Sequence, residues 1–355
     1  MHPDLGNLIQ KYDTKNMLDL ILRFPDQVQK AIQIGKSSSV AKPTASLKHI
    51  LVAGMGGSAV TGDLLHDFIT ASGTLPCTVV RDYKLPAWTD ETVLVVLSSY
   101  SGNTEETLSA HQAAVSLGCP CIAFTSGGEL YDRARKNGHP VIQIPGGQPP
   151  RTALGYLFFP VFEVFLNWGW IRPDLADFDE LFGVLESILS ENNPQQIENS
   201  PAMEIAEFCA DRIPVIYSSP QLQTVAVRWK GQICENSKSL AYHNIIPEMN
   251  HNEIIGWQRA KDMTLNRKMA VMFLRDKDDH IRVKRRMEIT KELIEESGTP
   301  TLQIHARGDS LLAKRFSLIY LVDFVSYHLA MINHEDPTTI KNIDYLKSVL
   351  AREEN

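Results

Sequence analysis

The residues from Ser98 to Thr107 (SSYSGNTEET) crowd hydroxyl groups around a single glycine. Gly102 lets the backbone curl, and Ser99, Ser101, Thr104 and Thr107 supply hydroxyl donors along a tight arc. An apolar run, Thr92 to Leu97, leads into the stretch, and a helical pattern with Leu108, Ala113, Ala114, Val115 and Leu117 as its apolar positions follows. That order is the outline of a βα turn in a parallel sheet. At such a turn the first helical N–H groups lack intrahelical partners and carry the positive end of the helix dipole, so the combination suits a doubly charged phosphate. Asn103-x-x-Glu106 is also an ordinary capping box, and two carboxylates in the first turn partly oppose an anion. The hydroxyls nevertheless exceed what a cap requires.

A second polar concentration comprises Lys230, Glu235-Asn236-Ser237-Lys238 and Pro247-Glu248-Met249-Asn250-His251-Asn252-Glu253. Glu235 closes a helical pattern and His251 follows the next strand, so both are candidates to reach the crevice between the two sheets. Arg151, beside Pro149-Pro150, reads equally as a surface arginine or as a guanidinium that a rigid turn holds as a fixed positive charge. Metal chemistry is not expected. His251-x-Glu253 lacks the P-C-x-x-C of a zinc deaminase, H-E-x-x-H is absent, and Cys77, Cys119, Cys121, Cys209 and Cys234 form no C-x-x-C pair. Cys234, in a helix, is read as packing. The turn Gly54-Met55-Gly56-Gly57-Ser58-Ala59 has Ala59 where a dinucleotide fingerprint has its third glycine, so no nicotinamide cofactor is expected either.

Alternating strands and helices must position these groups. Strands are expected at 49–53, 77–83, 92–98, 121–125 and 141–144, with helices at 60–69 and 130–136. A second series has strands at 214–218, 240–245, 269–274 and 301–305, and helices at 221–234, 281–296 and 311–332. The fold class is therefore α/β: two doubly wound parallel-sheet domains in tandem, joined by right-handed crossovers. The expected divisions are a helical arm at 1–46, a first sheet domain at 47–152, connecting helices at 153–210, a second sheet domain at 211–335, and a C-terminal helical segment at 336–355. Both Gly54–Ala59 and Ser98–Thr107 follow strands of the first sheet, where ligands of open parallel sheets sit.

A net charge of −7 over 355 residues offers no basic stripe for nucleic acid. The greasy stretch 153–170 contains Pro160, Glu163 and Asn167, which suits a buried helix better than a membrane span. The first ten residues lack the basic and apolar regions of a signal peptide, and the odd cysteine count fits a reducing compartment. The expectation is a soluble cytoplasmic protein without nucleic-acid or membrane partners.

Taken together, GGSA (56–59), SYSGNTEET (99–107), PPRTALG (149–155), E-N-x-K (235–238) and PEMNHNEIIGW (247–257) resemble the sugar isomerase (SIS) domain family, and within it the bifunctional phosphoglucose/phosphomannose isomerases. The similarity spans roughly residues 48–350. It implies two flavodoxin-like SIS domains and a hexose 6-phosphate substrate. By this resemblance Ser58, Ser99, Ser101, Thr104 and Thr107 hold the 6-phosphate, with Gly56 and Gly57 as substrate-binding positions. Glu235 is then the base, Arg151 the charge partner of the enediolate, and His251 the ring-opening group supplied from the other subunit of a homodimer, with Lys347 beside it. A small hydroxyl residue near C2–C3 is also implied, and Thr338 and Thr339 both fit.

That chemistry suits these residue types. Interconverting an aldose and a ketose moves one proton between C1 and C2, which one carboxylate can remove and return when partial burial raises its proton affinity. A guanidinium that never deprotonates stabilises the enediolate. Imidazole is suited to opening the sugar ring near neutrality. The intermediate is planar at C2, so glucose and mannose 6-phosphates converge on one enediol, and a site permitting rotation about C2–C3 serves both without a cofactor. The competing expectations are an isomerase of another phosphosugar, a non-catalytic sugar-phosphate sensor, and a scaffold.

Overall fold

The computed structural model of the chain describes residues 5–44, 46–195 and 200–353. Residues 1–4 of the stretch read for a signal peptide, and 354–355 of the C-terminal segment, lie outside the described residues. Three helices come first: α1 (Leu5–Tyr12), α2 (Met17–Leu22) and α3 (Phe24–Lys36). The first sheet series follows as β1 (His49–Ala53), α4 (Gly56–Ser72), β2 (Cys77–Val80), β3 (Val93–Ser98), α5 (Glu105–Ser116), β4 (Cys121–Thr125), α6 (Gly128–Lys136) and β5 (Val141–Gln143). Next come α7 (Leu154–Asn167), α8 (Phe178–Asn192) and α9 (Pro201–Cys209). The second series comprises β6 (Ile213–Ser218), α10 (Gln223–Ser237), β7 (Tyr242–Ile245), β8 (Met269–Arg275), α11 (Ile281–Glu296), β9 (Thr301–His305), α12 (Leu311–Ile332) and α13 (Lys341–Glu353).

Two compact units result, one of Arg23–Glu186 with Arg307–Phe316, the other of the residues up to Leu22 with Ser187–Ala306 and Ser317 onward. The first holds a wholly parallel five-stranded sheet in the order β2-β1-β3-β4-β5. Both faces are covered, so its central strand β3 is buried at every position. Leu51 and Ala53 pack with Ala110 and Ala114 of α5 and Leu130 and Ala134 of α6 on one face. On the other, α4 comes close through Gly62, where an added Cβ would lie 3.0 Å from both Val52 and Val79. Phe24, Phe68, Phe158, Phe159, Phe162 and Phe316 stack into an aromatic cluster in the same unit.

The second unit holds a parallel four-stranded sheet in the order β7-β6-β8-β9. Val215, Tyr217, Val271 and Phe273 pack with Met287 and Ile294 of α11 and with Met249 and Trp257. The doubly wound class read from the alternation is therefore what forms. Helix α12 is long and apolar enough to cross a membrane, yet 94% of that apolar window is buried within the protein.

Element limits differ from the sequence reading where side chains carry no periodic signal. Helix α4 begins at Gly56 rather than Val60, because glycines leave no apolar trace of their helical turn. Helix α10 runs to Ser237 rather than Cys234, so Glu235 lies inside its last turn; Lys238 then adopts a left-handed conformation (φ 57°) and ends it.

In the first unit buried His111 of α5 meets His139, Nε2 to Nδ1, at 3.2 Å. Burial, then the charges of His139 and Arg133, push the His111 pKa down from 6.5 to about 4, and burial also lowers that of His139. A depressed pKa means that the unfolded chain takes up the proton first, so this contribution to stability is complete above about pH 6.5 and is lost as pH falls toward about 4. Denaturant unfolding near neutral pH and in mild acid should show this loss in the wild type and a smaller one in His111→Gln; equal losses would show that the pair does not titrate as described.

Candidate active site

The order β2-β1-β3 makes β1 and β3 neighbours with their crossovers leaving to opposite sides, which opens a crevice at their carboxyl ends. The loops there approach closely enough to demand glycine. A Cβ on Gly54 would lie 2.8 Å from the Ser98 carbonyl oxygen, and one on Gly102 (φ 73°) would lie 1.8 Å from that of Gly127. Gly57 comes within 3.3 Å of the Pro150 carbonyl in the same sense, which sets the glycine turn against the 3₁₀ turn Pro150–Thr152 that carries Arg151. Arg151 is buried, as are Ser58, Ser99 and Thr107, whereas Gly56 and Ser101 are exposed and Thr104 is half-buried.

Within the hydroxyl loop Ser99 Oγ and Thr104 Oγ1 are 2.8 Å apart, and Ser99 Oγ accepts from the Gly102 N–H at 3.1 Å. Ser101 Oγ accepts from the Asn103 N–H at 3.2 Å. The capping box does not form. Asn103 Oδ1 instead accepts from the Glu129 N–H at 3.0 Å, and Thr104 caps α5 without a side-chain hydrogen bond. Helix α5 thus keeps its amino-terminal donors uncapped, and Thr107 Oγ1 is buried with no hydrogen-bond partner. This is the electrostatics an anion requires. The sequence reading passed over Gln148, whose side-chain nitrogen is buried without a partner while its N–H donates to Tyr100 Oη at 3.3 Å. Its place directly before PPRT was the signal available.

The second unit contains a cleft of about 430 Å³ whose wall includes Cys234, Glu235, Lys238, Glu335, Thr339 and Lys341. Glu235 stands there half-buried on the last turn of α10. That turn is tied to α12 and the residues after it by polar contacts. Buried Asp323 accepts from Arg228 at 3.1 Å and from Gln232, while Asn236 Nδ2 donates to Ser326 Oγ at 3.0 Å. Asn333 Nδ2 donates to the Ser237 carbonyl at 2.8 Å and to Ser239 Oγ at 2.9 Å. Burial raises the pKa of Asp323, and Arg228 opposes that shift.

Of the paired candidates, Thr339 lines the cleft with Glu235, and Thr338 is not in its wall. His251 ends the 3₁₀ turn Glu248–His251 and is exposed; Lys347 is exposed on α13; neither belongs to that wall. The PEMNHNE segment is anchored by Glu253, which accepts from Tyr217 Oη and, at 2.6 Å, from Asn244 Nδ2. Burial and then Glu253 raise the Tyr217 pKa. Among the described residues no group of three metal-ligating side chains forms.

Two parallel α/β sheets, one with a hydroxyl-rich loop at its switch point, define a tandem SIS protein. Residues 198–350 match the family model described as the bacterial phospho-glucose isomerase C-terminal SIS domain. The chain is 43% identical over 337 residues to a bifunctional phosphoglucose/phosphomannose isomerase of Caldicellulosiruptor bescii, covering 94% of this chain and 99% of that one. It is 38% identical to a protein of the same description from Aquifex aeolicus, over 88% and 93% of the two chains. A solved structure of a hypothetical protein from Thermus thermophilus shares the fold, with a TM-score of 0.74 at 15% identity over 99% of this chain and 93% of that one. The chain belongs to the bifunctional phosphoglucose/phosphomannose isomerase family.

Because the Thr107 hydroxyl is buried with no hydrogen-bond partner, removing it tests cleanly whether this loop binds an anion. Thr107→Val should leave the melting temperature unchanged or raised, since no hydrogen bond is lost, yet weaken binding of a hexose 6-phosphate roughly three- to tenfold by calorimetry. Unaltered affinity would place the phosphate elsewhere.

Proposed function

We propose that this protein interconverts glucose 6-phosphate and mannose 6-phosphate with fructose 6-phosphate through an enediolate, Glu235 moving the proton between C1 and C2. The observation that carries the reading is a half-buried carboxylate, on a helix end tied down by hydrogen bonds, lining a cleft of about 430 Å³ together with the Thr339 hydroxyl. The names borne by the relatives point to the same pair of substrates.

In this reading Ser58, Ser99, Ser101, Thr104 and Thr107, with the amino end of α5, hold the 6-phosphate as an oriented dianion, and Gly56 and Gly57 let the sugar approach the backbone. Arg151 offsets charge on the enediolate oxygens. Its burial makes that charge more effective than at an exposed position, because the surrounding dielectric is lower. His251 opens the ring, and its exposed place at the end of a 3₁₀ turn suits donation to another subunit of a homodimer; Lys347 assists it. Thr339 lies near C2–C3, where rotation of the planar intermediate presents either face to the returning proton. One carboxylate suffices for the proton transfer, so the reaction needs no metal or organic cofactor; the free thiols of the described cysteines suit a reducing compartment such as the cytoplasm.

Purified protein given fructose 6-phosphate should form both aldose phosphates, resolved by enzyme-coupled assays, and should do so equally in EDTA. Formation of neither, or activity lost to EDTA and restored by zinc, would overturn the proposal. Glu235→Gln keeps the side-chain shape and removes the base. It should lower kcat by about 10²–10⁴-fold while ligand binding persists, and near-wild-type turnover would refute the assignment of Glu235.

A further inference from the structure

The N-terminal arm carries none of the motifs above, yet its residues up to Leu22 group with the second sheet. Three consecutive arm residues reach α12 and the segment that follows it. The Tyr12 ring stacks on that of His334, with centroids 5.4 Å apart and planes within 16°. Asp13 is buried and accepts from Tyr327 Oη at 3.1 Å, and also from the Met17 and Leu18 N–H groups at 2.6 and 2.9 Å. Thr14 Oγ1 donates to Asp336 Oδ2 at 2.9 Å across a separation of 322 residues.

Asp336 is the pivot. Its other carboxylate oxygen accepts from the Thr338 N–H at 2.7 Å, and its carbonyl accepts from Thr339 Oγ1 at 3.3 Å. A continuous chain of hydrogen bonds thus runs from Thr14 through Asp336 to Thr338 and Thr339, and Thr339 shares the cleft wall with Glu235. Asp336–Thr339 lies between the end of α12 and the start of α13, outside either helix, so no helical ladder sets its conformation. The Asp336 turn and the arm both bear on it. Asp13 makes the arm a firm support, because one buried carboxylate both caps α2 and ties it to α12.

We propose that Tyr12, Asp13 and Thr14 are positioning residues of the sugar cleft, bracing the Asp336–Thr339 segment and thereby setting how efficiently the two C2 epimers are handled. The inference rests on the isomerase reading above. A support of packing alone would change overall stability and both activities together, whereas a support of Thr339 changes the ratio of the two.

The test compares wild type, Thr14→Val and Thr14→Ser by amide hydrogen exchange over residues 334–340 and by kcat/KM for mannose 6-phosphate relative to glucose 6-phosphate. Thr14→Val should speed exchange in that segment and shift the epimer ratio roughly three- to tenfold, the range that one hydrogen bond commands. Thr14→Ser, which retains a hydroxyl, should restore both. If Thr14→Val does not fold, Tyr12→Leu removes the ring stack and is read in the same way. Unchanged exchange, an unchanged ratio, or an equal fall in both activities would overturn the brace. Wild-type protein inactive on both epimers would instead overturn the isomerase reading and with it the epimer role, and unchanged exchange in that case would overturn the brace as well.

Discussion

Backbone contact at the carboxyl ends of the strands of the first sheet is the constraint on which the hydroxyl-rich loop depends. A carbonyl oxygen stands where Gly54 or Gly102 would otherwise carry a Cβ, so both positions are closed to every other residue without movement of the loop. That proximity draws the hydroxyls of Ser99 and Thr104 together and turns Asn103 toward Glu129 and away from its own helix. The amino end of α5 consequently keeps donors that a conventional cap would have occupied. The anion affinity proposed for this place would come from what the fold leaves unpaired.

Polarity is used in the opposite way around Glu235. The groups that fix the end of α10 are paired with one another: Asp323 with Arg228 and Gln232, Asn236 with Ser326, Asn333 with Ser237 and Ser239. Buried polar contacts of this kind add little net stability, because desolvation offsets much of their attraction, but each permits one arrangement and penalises the alternatives. In the proposed role of taking and returning one proton, the Glu235 carboxylate would benefit from that rigidity more than from extra stability. The Asn of the E-N-x-K motif has a physical role on this account, since its side chain moors the helix that displays the neighbouring glutamate. Lys238 contributes differently, donating to the Glu235 carbonyl at 2.6 Å where the helix stops.

Much of the fold was legible in the residues themselves. Short β-branched runs such as 93–98, alternating with helical periodicities, leave little choice but a parallel sheet covered on both faces, and strands β4 and β9 have the limits that their apolar runs suggest. Glycine-rich and polar segments were less legible because the signal is periodic burial, and neither Gly56–Gly57 nor Glu235–Ser237 has an apolar face to reveal a helical turn. The same limit hid Gln148, whose buried amide is apparent only once Tyr100 and the PPRT turn have been folded around it.

Composition, the spacing of strands and helices, and the hydroxyl-rich turn determine by local chemistry alone that this is an α/β protein with a glycine-and-hydroxyl turn after a strand, because each depends on residues a few positions apart. Tertiary structure decided matters that turn on distant partners. Asn103 caps nothing in its own helix because Glu129 competes for it, Thr339 and not Thr338 faces the cleft with Glu235, and the amino-terminal arm leans on a segment 322 residues away. A local pattern can state what a side chain offers, but only the folded chain brings the group that accepts it.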